Sequence, residues 1–323
     1  MRVVRVREFG TPEVLRVEEM PEPEPGAGQV VVAVETAGVG YGDVIVRSGG
    51  YPFPLPYVPG LEVGGQVVAV GPGTDRSLLG RRVVATTVGN TGGYGERALA
   101  PAAWTFPVPN ELALPVALAV FQAGAVASGM LAAMRVRDGE TVLITAAAGR
   151  IGSLLVQLAK AAGATVIGAA GADKAAAVED FGADHAVDYG AGDWPDRVRA
   201  LSGGGVDVVL DAIGGEIGAQ ALEAAADGRG RFGIYGFASG AWLPLDAQVL
   251  ARRGLTVAGP LGAVFAKPDA EQRDDAERAL AAAADGRLRP RIHATYPLDR
   301  AADAHAEIER RRSVGAVLLA VPA

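Results

Sequence analysis

Residues 141 to 170 read TVLITAAAGRIGSLLVQLAKAAGATVIGAA and contain the side chains and spacings best suited to holding a bound anion. Ala147, Gly149 and Gly152 fall at the three small-residue positions of a G-x-G-x-x-G turn, between an apolar run and a helical one. Small residues there let backbone N–H groups and a helix N-terminus approach a pyrophosphate, and the third lets the helix pack on the strand. Alanine suits the first position provided the turn needs no positive φ there. Ala148, Arg150 and Ile151 complete the turn. Arg150 either clamps the pyrophosphate with its guanidinium or lies outward in water; residue type alone leaves both open. An NAD-type site carries an acid about 20 residues beyond the turn, to bind the ribose 2′-hydroxyl. GAAGADK (168–174) has no acid before Asp173. Lys174, three residues beyond Gly171, offers an ammonium suited to a 2′-phosphate, so NADPH is expected over NADH. The alternative for Lys174 is a solvent-facing helix start. Further cofactor contacts are expected from Gln122 and from backbone groups at Ala212, Ile213, Tyr235 and Phe237, at strand ends or on a helix.

Metal chemistry has little to draw on. There is no cysteine, and His185, His293 and His305 form no pair at ligand spacing. Zinc is therefore not expected, and an acceptor oxygen must rely on hydroxyl or amide donors.

The elements that would position these groups follow from pattern. Up to about residue 105 the chain is rich in β-branched alternation, as in QVVVAVETAGV, GGQVVAVG and GRRVVATTV, broken by Gly- and Pro-rich turns. This predicts a compact all-β unit. From about 135, strands alternate with helices of 10 to 15 residues, and six strands between 141 and 259 predict a doubly wound parallel α/β sheet. Ile151, Leu154, Leu155 and Leu158 give the first helix its apolar face. The tail from 270 holds an Ala-rich helix, then a helix and a closing strand, expected to return to the first unit.

Composition narrows the classes. Half of the 323 residues are apolar and the net charge is −7, which argues against a general grip on nucleic acid. ERRRS (309–313) is the nearest approach to a basic arm and reads equally as a solvated helix end. Residues 112–134 carry no charge over 23 positions, enough to span a bilayer. Pro115, Gln122, Ser128 and the surrounding strand–helix alternation favour a buried helix between domains instead. The N-terminus lacks the apolar core of a signal peptide, so the cytoplasm, with no membrane partner, is expected.

Five stretches carry a resemblance: FGTPEVLRV (9–17), GDVIVRSGGYPFPLPYVPGLEVGGQVVAVG (42–71), AAAGRIGSLLVQLAKAAGATVIG (146–168), VDVVLDAIGG (206–215) and YPLDRAADAH (296–305). Through them the chain resembles, end to end, the zinc-independent quinone oxidoreductase (zeta-crystallin-like) branch of the medium-chain dehydrogenase/reductases. The resemblance implies a GroES-like catalytic domain from residues 1–115 and 262–323. It also implies a Rossmann NADP-binding domain over 116–261, with the cofactor in the cleft. Zinc-dependent relatives carry cysteine in G-V-C-x-x-D and histidine in G-H-E; here the stretches are GVGYGD (38–43) and GLE (60–62), with Gly40 and Leu61 at the ligand positions. By resemblance, Lys174, Tyr189 and Arg311 match 2′-phosphate positions, and Tyr41 and Tyr51 lie in loops facing the cleft, with Asp43 and Arg47 close by. The family usually has asparagine at Gly40, often tyrosine at Ile45 and lysine at Gln122, so a roomier, more apolar pocket is implied.

Each of these residues also has a structural reading. Tyr51 packs as loop filler, Asp43 caps a helix beginning DVIVRS, and Arg47 pairs with Asp43 or Glu62. Glu62 is structural without zinc, and His305 is packed or on the surface. Three functions follow: NADPH-dependent reduction of a quinone or other conjugated carbonyl, reduction of a 2-enoyl thioester or free enone, or nucleotide binding of crystallin type with little turnover. A homodimer is expected through LTVAGPL (255–261), an apolar edge suited to recruiting a partner.

Overall fold

The computed structural model describes residues 1–321. The chain opens with an antiparallel pair, β1 (Arg2–Arg5) and β2 (Arg16–Glu19). The eleven-residue β3 (Gln29–Val39) follows, and eight of its Val-rich residues are buried. After β3 the chain forms α1 (Tyr41–Ser48), then β4 (Glu62–Val70), β5 (Arg82–Thr86), β6 (Arg97–Pro101) and β7 (Thr105–Pro107). The helix α1 is the one read as beginning DVIVRS under an Asp43 cap, but it starts two residues earlier, at Tyr41. It starts because Gly40 is an extended N-cap whose N–H donates to Asp43 Oδ2 at 2.8 Å. It stops at Gly49, in the left-handed region with φ 85°.

The apolar run predicted between domains is α2 (Leu114–Ala133). Among the described residues it is one helix long and apolar enough to cross a membrane, and two-thirds of its most apolar stretch, 67%, is buried within the protein.

A parallel sheet then forms from β8 (Thr141–Thr145), β9 (Thr165–Ala170), β10 (His185–Asp188), β11 (Val208–Asp211), β12 (Arg231–Ile234) and β13 (Thr256–Ala258). Its order is β10–β9–β8–β11–β12–β13, all parallel, which is the doubly wound arrangement expected. The central strands are continuous apolar runs because helices cover both faces. These helices are α3 (Arg150–Ala161), α4 (Ala175–Asp180), α5 (Trp194–Leu201), α6 (Gly215–Glu223), α7 (Ala247–Arg253) and α8 (Pro260–Phe265), with α9 (Asp269–Ala284) following. Leu143, Ile167, Val209 and Phe232 form the centre of the core, against the fully buried Trp194.

The tail supplies β14 (Ile292–Pro297), α10 (Ala301–Glu309) and β15 (Ala316–Ala320). β15 pairs antiparallel with β3, Val317 opposite Val39, and parallel with β14. The resulting sheet of seven strands runs β14–β15–β3–β4–β5–β7, with β6 also on β3. Two compact units result: Met1–Gln122 with Leu280–Ala323, and Ala123–Ala279. They divide inside α2 and α9, whereas the resemblance implied changes at 115/116 and 261/262. A helix carries no compositional mark at such a point.

Candidate functional site

In the parallel-sheet unit, the glycine-slotted turn leaves the C-terminal end of β8 at the centre of the sheet, where the strand order reverses. This is the topological switch point at which open α/β sheets bind ligands. The positive φ of the turn, 49°, falls on Ala146, one residue before the first slot, so alanine at 147 carries no strain. Gly149 is the N-cap of α3, and Arg150 and Ile151 open the helix, half-buried. Gly152 is held to glycine by contact: a Cβ there would lie 2.2 Å from the Ala146 carbonyl oxygen. Ala147 and Ala148 are buried. The first-turn N–H groups of α3, which helix geometry leaves without intrahelical acceptors, therefore face the end of the sheet.

Lys174 and Tyr189 come together through strand pairing. Asp188 of β10 lies opposite Ala170 of β9, and the Tyr189 N–H donates to the Ala170 carbonyl at 3.2 Å. From Ala170 the chain passes through Gly171 into a tight turn, Ala172–Lys174, that leads into α4. Lys174 is half-buried rather than a fully solvated helix start, and the β9 end bears no acid before exposed Asp173.

Across the switch point, Asp211 ends β11 fully buried. Its carboxylate accepts from Thr145 Oγ1 at 2.6 Å, the Ile213 N–H at 3.1 Å and the Gly214 N–H at 2.9 Å, while Thr145 Oγ1 accepts the Ala212 N–H at 3.0 Å. The Ala212 and Ile213 carbonyls accept from the Ala238 and Ser239 N–H groups at 3.0 and 2.9 Å. Both N–H groups are thus engaged within the protein, and each carbonyl keeps a second lone pair for a further donor. Sequence pointed to the loop but not to Thr145 or Asp211, whose signal was a threonine and an aspartate closing two central apolar strands. Tyr235 follows β12, its hydroxyl pushed up by burial and then by the Asp211 carboxylate. Phe237 stacks on the exposed Trp242, ring centroids 4.3 Å apart, and its carbonyl accepts from Gly240.

In the other unit, Tyr41 is corrected from a loop residue to the first residue of α1, with Asp43 two residues on at the third helical position. Asp43 acts in capping as expected, although the helix starts before it. Tyr41 and Tyr51 are both exposed, Tyr51 in the loop after the helix. Arg47 is fully buried, and the ion pair it makes is with Glu309, at the end of α10 and 262 positions away, rather than with the nearby acids of expectation. Its other end donates to the Gly10 carbonyl at 2.5 Å. Glu62 is buried at the start of β4, against Gly38.

His305 is buried, sharing a 3.1 Å hydrogen bond and an edge-on ring contact with Tyr94. Burial, then the Arg47 charge, pushes its pKa down to about 3. Tyr57 is buried, and its hydroxyl is pushed up to about 12 by burial and then by Asp43. Neither Tyr57 nor Tyr94 carried a sequence signal. Gln122 donates to Thr86 Oγ1 at 2.7 Å, which fixes its amide at the end of β5. Arg311 lies just beyond α10, exposed, with φ 57°. Among the described residues no three His, Asp or Glu side chains converge as a metal site would need.

The chain matches two family models: the alcohol dehydrogenase GroES-like domain over residues 26–110 and the zinc-binding dehydrogenase domain over 151–281. It is similar to a quinone oxidoreductase-like protein 2 homolog of Nematostella vectensis, 32% identical over 98% of this chain and 88% of the relative. A 2-haloacrylate reductase of a Burkholderia species is 33% identical, with 97% of each covered. Among solved structures, an Escherichia coli quinone oxidoreductase complexed with NADPH superposes with a TM-score of 0.92, at 29% identity, over 99% of this chain and 100% of that one.

Proposed function

The chain belongs to the quinone oxidoreductase branch of the medium-chain dehydrogenase/reductases, and from that premise we propose that it is an NADPH-dependent reductase of quinones or similar conjugated carbonyls, working without zinc. The observation that carries the reading is the phosphate turn at the switch point, next to a β9 end that presents Lys174 and Tyr189 where an acid would select NADH. The residues fit the cofactor: Gly149, the N-cap of α3, leaves the backbone open to close approach by the pyrophosphate, and Gly152 lets the helix pack against the turn at Ala146.

NADPH, when bound, supplies a hydride. The chain supplies the rest. In this reading the turn Ala147–Gly149 and the start of α3, Arg150 to Gly152, hold the pyrophosphate, with Arg150 at the first helical position. Lys174 and Tyr189 meet the 2′-phosphate, Gly171 keeps the approach to it open, and the Phe237 N–H is a donor for the amide end. The hydroxyls of Tyr41 and Tyr51 and the amide of Gln122 are donors for the acceptor oxygen, with Asp43 fixing α1 beneath them. Gly40 and Ile45 leave that surface free of competing polar groups.

Reduction of an activated double bond is the second reading, favoured by the relative named 2-haloacrylate reductase. NADPH oxidation assayed against a panel of quinones and 2-enoyl thioesters separates the two. Turnover with quinones supports the first, turnover confined to enoyl acceptors the second, and none with either refutes both in favour of a nucleotide-binding protein. Full activity in EDTA is expected, since Gly40 and Leu61 offer no ligand atoms. We further propose a cytoplasmic homodimer. The edge strand β13 has a free side, and beside it a groove of about 490 Å³ runs between Tyr235, Trp242, Val257 and Leu261. A monomer mass in solution would refute the dimer.

A further inference from the structure

Two helix N-termini, those of α3 and α6, begin just beyond the adjacent central strands β8 and β11. Both are natural seats for an anion, yet the chain fills one itself. Asp211, fully buried, places its carboxylate on the N–H groups of Ile213 and Gly214 at the start of α6, and its third donor is the Thr145 hydroxyl. None of the three donors is a cation, so the buried charge is held by dipoles alone. Thr145 does more than donate. Its oxygen also accepts the Ala212 N–H, so one hydroxyl joins the last residue before the phosphate turn to the loop after β11. On its other side that loop is hydrogen-bonded to Ala238 and Ser239, next to Phe237. A Cβ on Gly214, whose φ is 66°, would lie 2.4 Å from the Ala241 carbonyl oxygen, so the loop has no slack toward that segment either.

We propose that Thr145 is a positioning residue. Its hydroxyl, through Asp211, makes the phosphate turn and the 212–214 and 237–239 segments one rigid body, and Asp211 keeps α6 from competing with α3 for the pyrophosphate. The inference rests on the NADPH reading above. Rigidity of this kind matters because displacement of reacting groups by about 1 Å is enough to cost about 100-fold in rate.

The test uses the full chain as wild type, Thr145→Val and Thr145→Ser. In Thr145→Val the Ala212 N–H loses its acceptor, so its amide should exchange with deuterium at least tenfold faster without cofactor, while amides in β9 and α4 stay unchanged. NADPH affinity, measured by fluorescence titration, should weaken no more than about threefold, because α3 is untouched. The kcat with the best quinone should fall about 10- to 100-fold, with a larger primary isotope effect from 4-deuterated NADPH. Thr145→Ser, which keeps the hydroxyl, should restore exchange and kcat to within threefold of wild type.

Unchanged exchange and kcat in Thr145→Val overturn the proposal. So does an equal loss of NADPH affinity and kcat that serine fails to rescue, since that marks a purely structural role. A wild-type chain that binds no NADPH refutes the cofactor reading and this inference with it, whereas a wild type that turns over no faster than Thr145→Val refutes the positioning role alone.

Discussion

His305 gives the unit formed by both chain ends a specific weakness to acid. Buried against Tyr94 and near the Arg47 charge, its pKa falls from the ordinary 6.5 to about 3. An unfolded chain binds a proton at this residue below pH 6.5, whereas the folded chain does so only near pH 3. The stability it contributes is therefore complete above pH 6.5 and is lost as pH falls toward 3. Since pH 5 lies about 1.5 units below the ordinary value, and each unit is worth about 1.4 kcal/mol, about 2 kcal/mol should be lost by pH 5. The 37 acidic residues also titrate, so a difference of differences is needed. Urea unfolding of wild type and His305→Gln, followed by circular dichroism at pH 7 and pH 5, provides it. The variant should be less stable at pH 7, having lost the packed imidazole, but should lose about 2 kcal/mol less than wild type on going to pH 5. Parallel losses in the two proteins would refute the argument and show that His305 already carries its proton when folded.

Other expectations follow from the same contacts. Lys174→Ala should raise the Kd for NADPH at least tenfold while leaving that for NADH nearly unchanged; an equal change in both would remove Lys174 from the 2′-phosphate site. Gly152→Ala places a methyl 2.2 Å from the Ala146 carbonyl, so calorimetry should show nucleotide affinity reduced more than tenfold, and an unaltered Kd would show that the turn yields freely. At the Arg47–Glu309 pair the order of effects is diagnostic. Arg47→Met leaves Glu309, about a third exposed at 36%, able to regain water, and should cost about 1–3 kcal/mol in urea unfolding. Glu309→Ala strands a fully buried guanidinium and should cost about 3–5 kcal/mol; the reverse order would refute this account of the pair.

Much of the architecture was legible because it rests on periodicity. The six parallel strands appear as apolar runs at regular spacing, and the glycine slots at 149 and 152 have a steric reason that one sequence displays. What escaped were features created by distant partners. Arg47 has Asp43 four residues away, yet its ion pair is with Glu309, which only the β3–β15 pairing brings near. Thr145 and Asp211 look like ordinary strand ends until the sheet sets them side by side. The start of α1 was placed at Asp43 instead of Tyr41 because its cap is a glycine, whose contribution is its backbone N–H rather than a recognisable side chain. The strand β14 was missed because its HATYP core lacks an apolar run; it is half-buried at a sheet edge, where pattern is weakest.

The closing strand β15 also has a consequence for how the molecule is made. β3 leaves the ribosome well before β15 (Ala316–Ala320), one of its pairing partners. The unit spanning Ala123–Ala279 is contiguous and holds all its own strands. It is therefore free to fold during synthesis, while β3 waits with an unpaired edge until β15 has emerged. Deletion of β15, Ala316–Ala320, should thus disable the unit that holds β3 and spare the one nearer to β15 in sequence. β3 is made before the contiguous unit but completes its sheet after it.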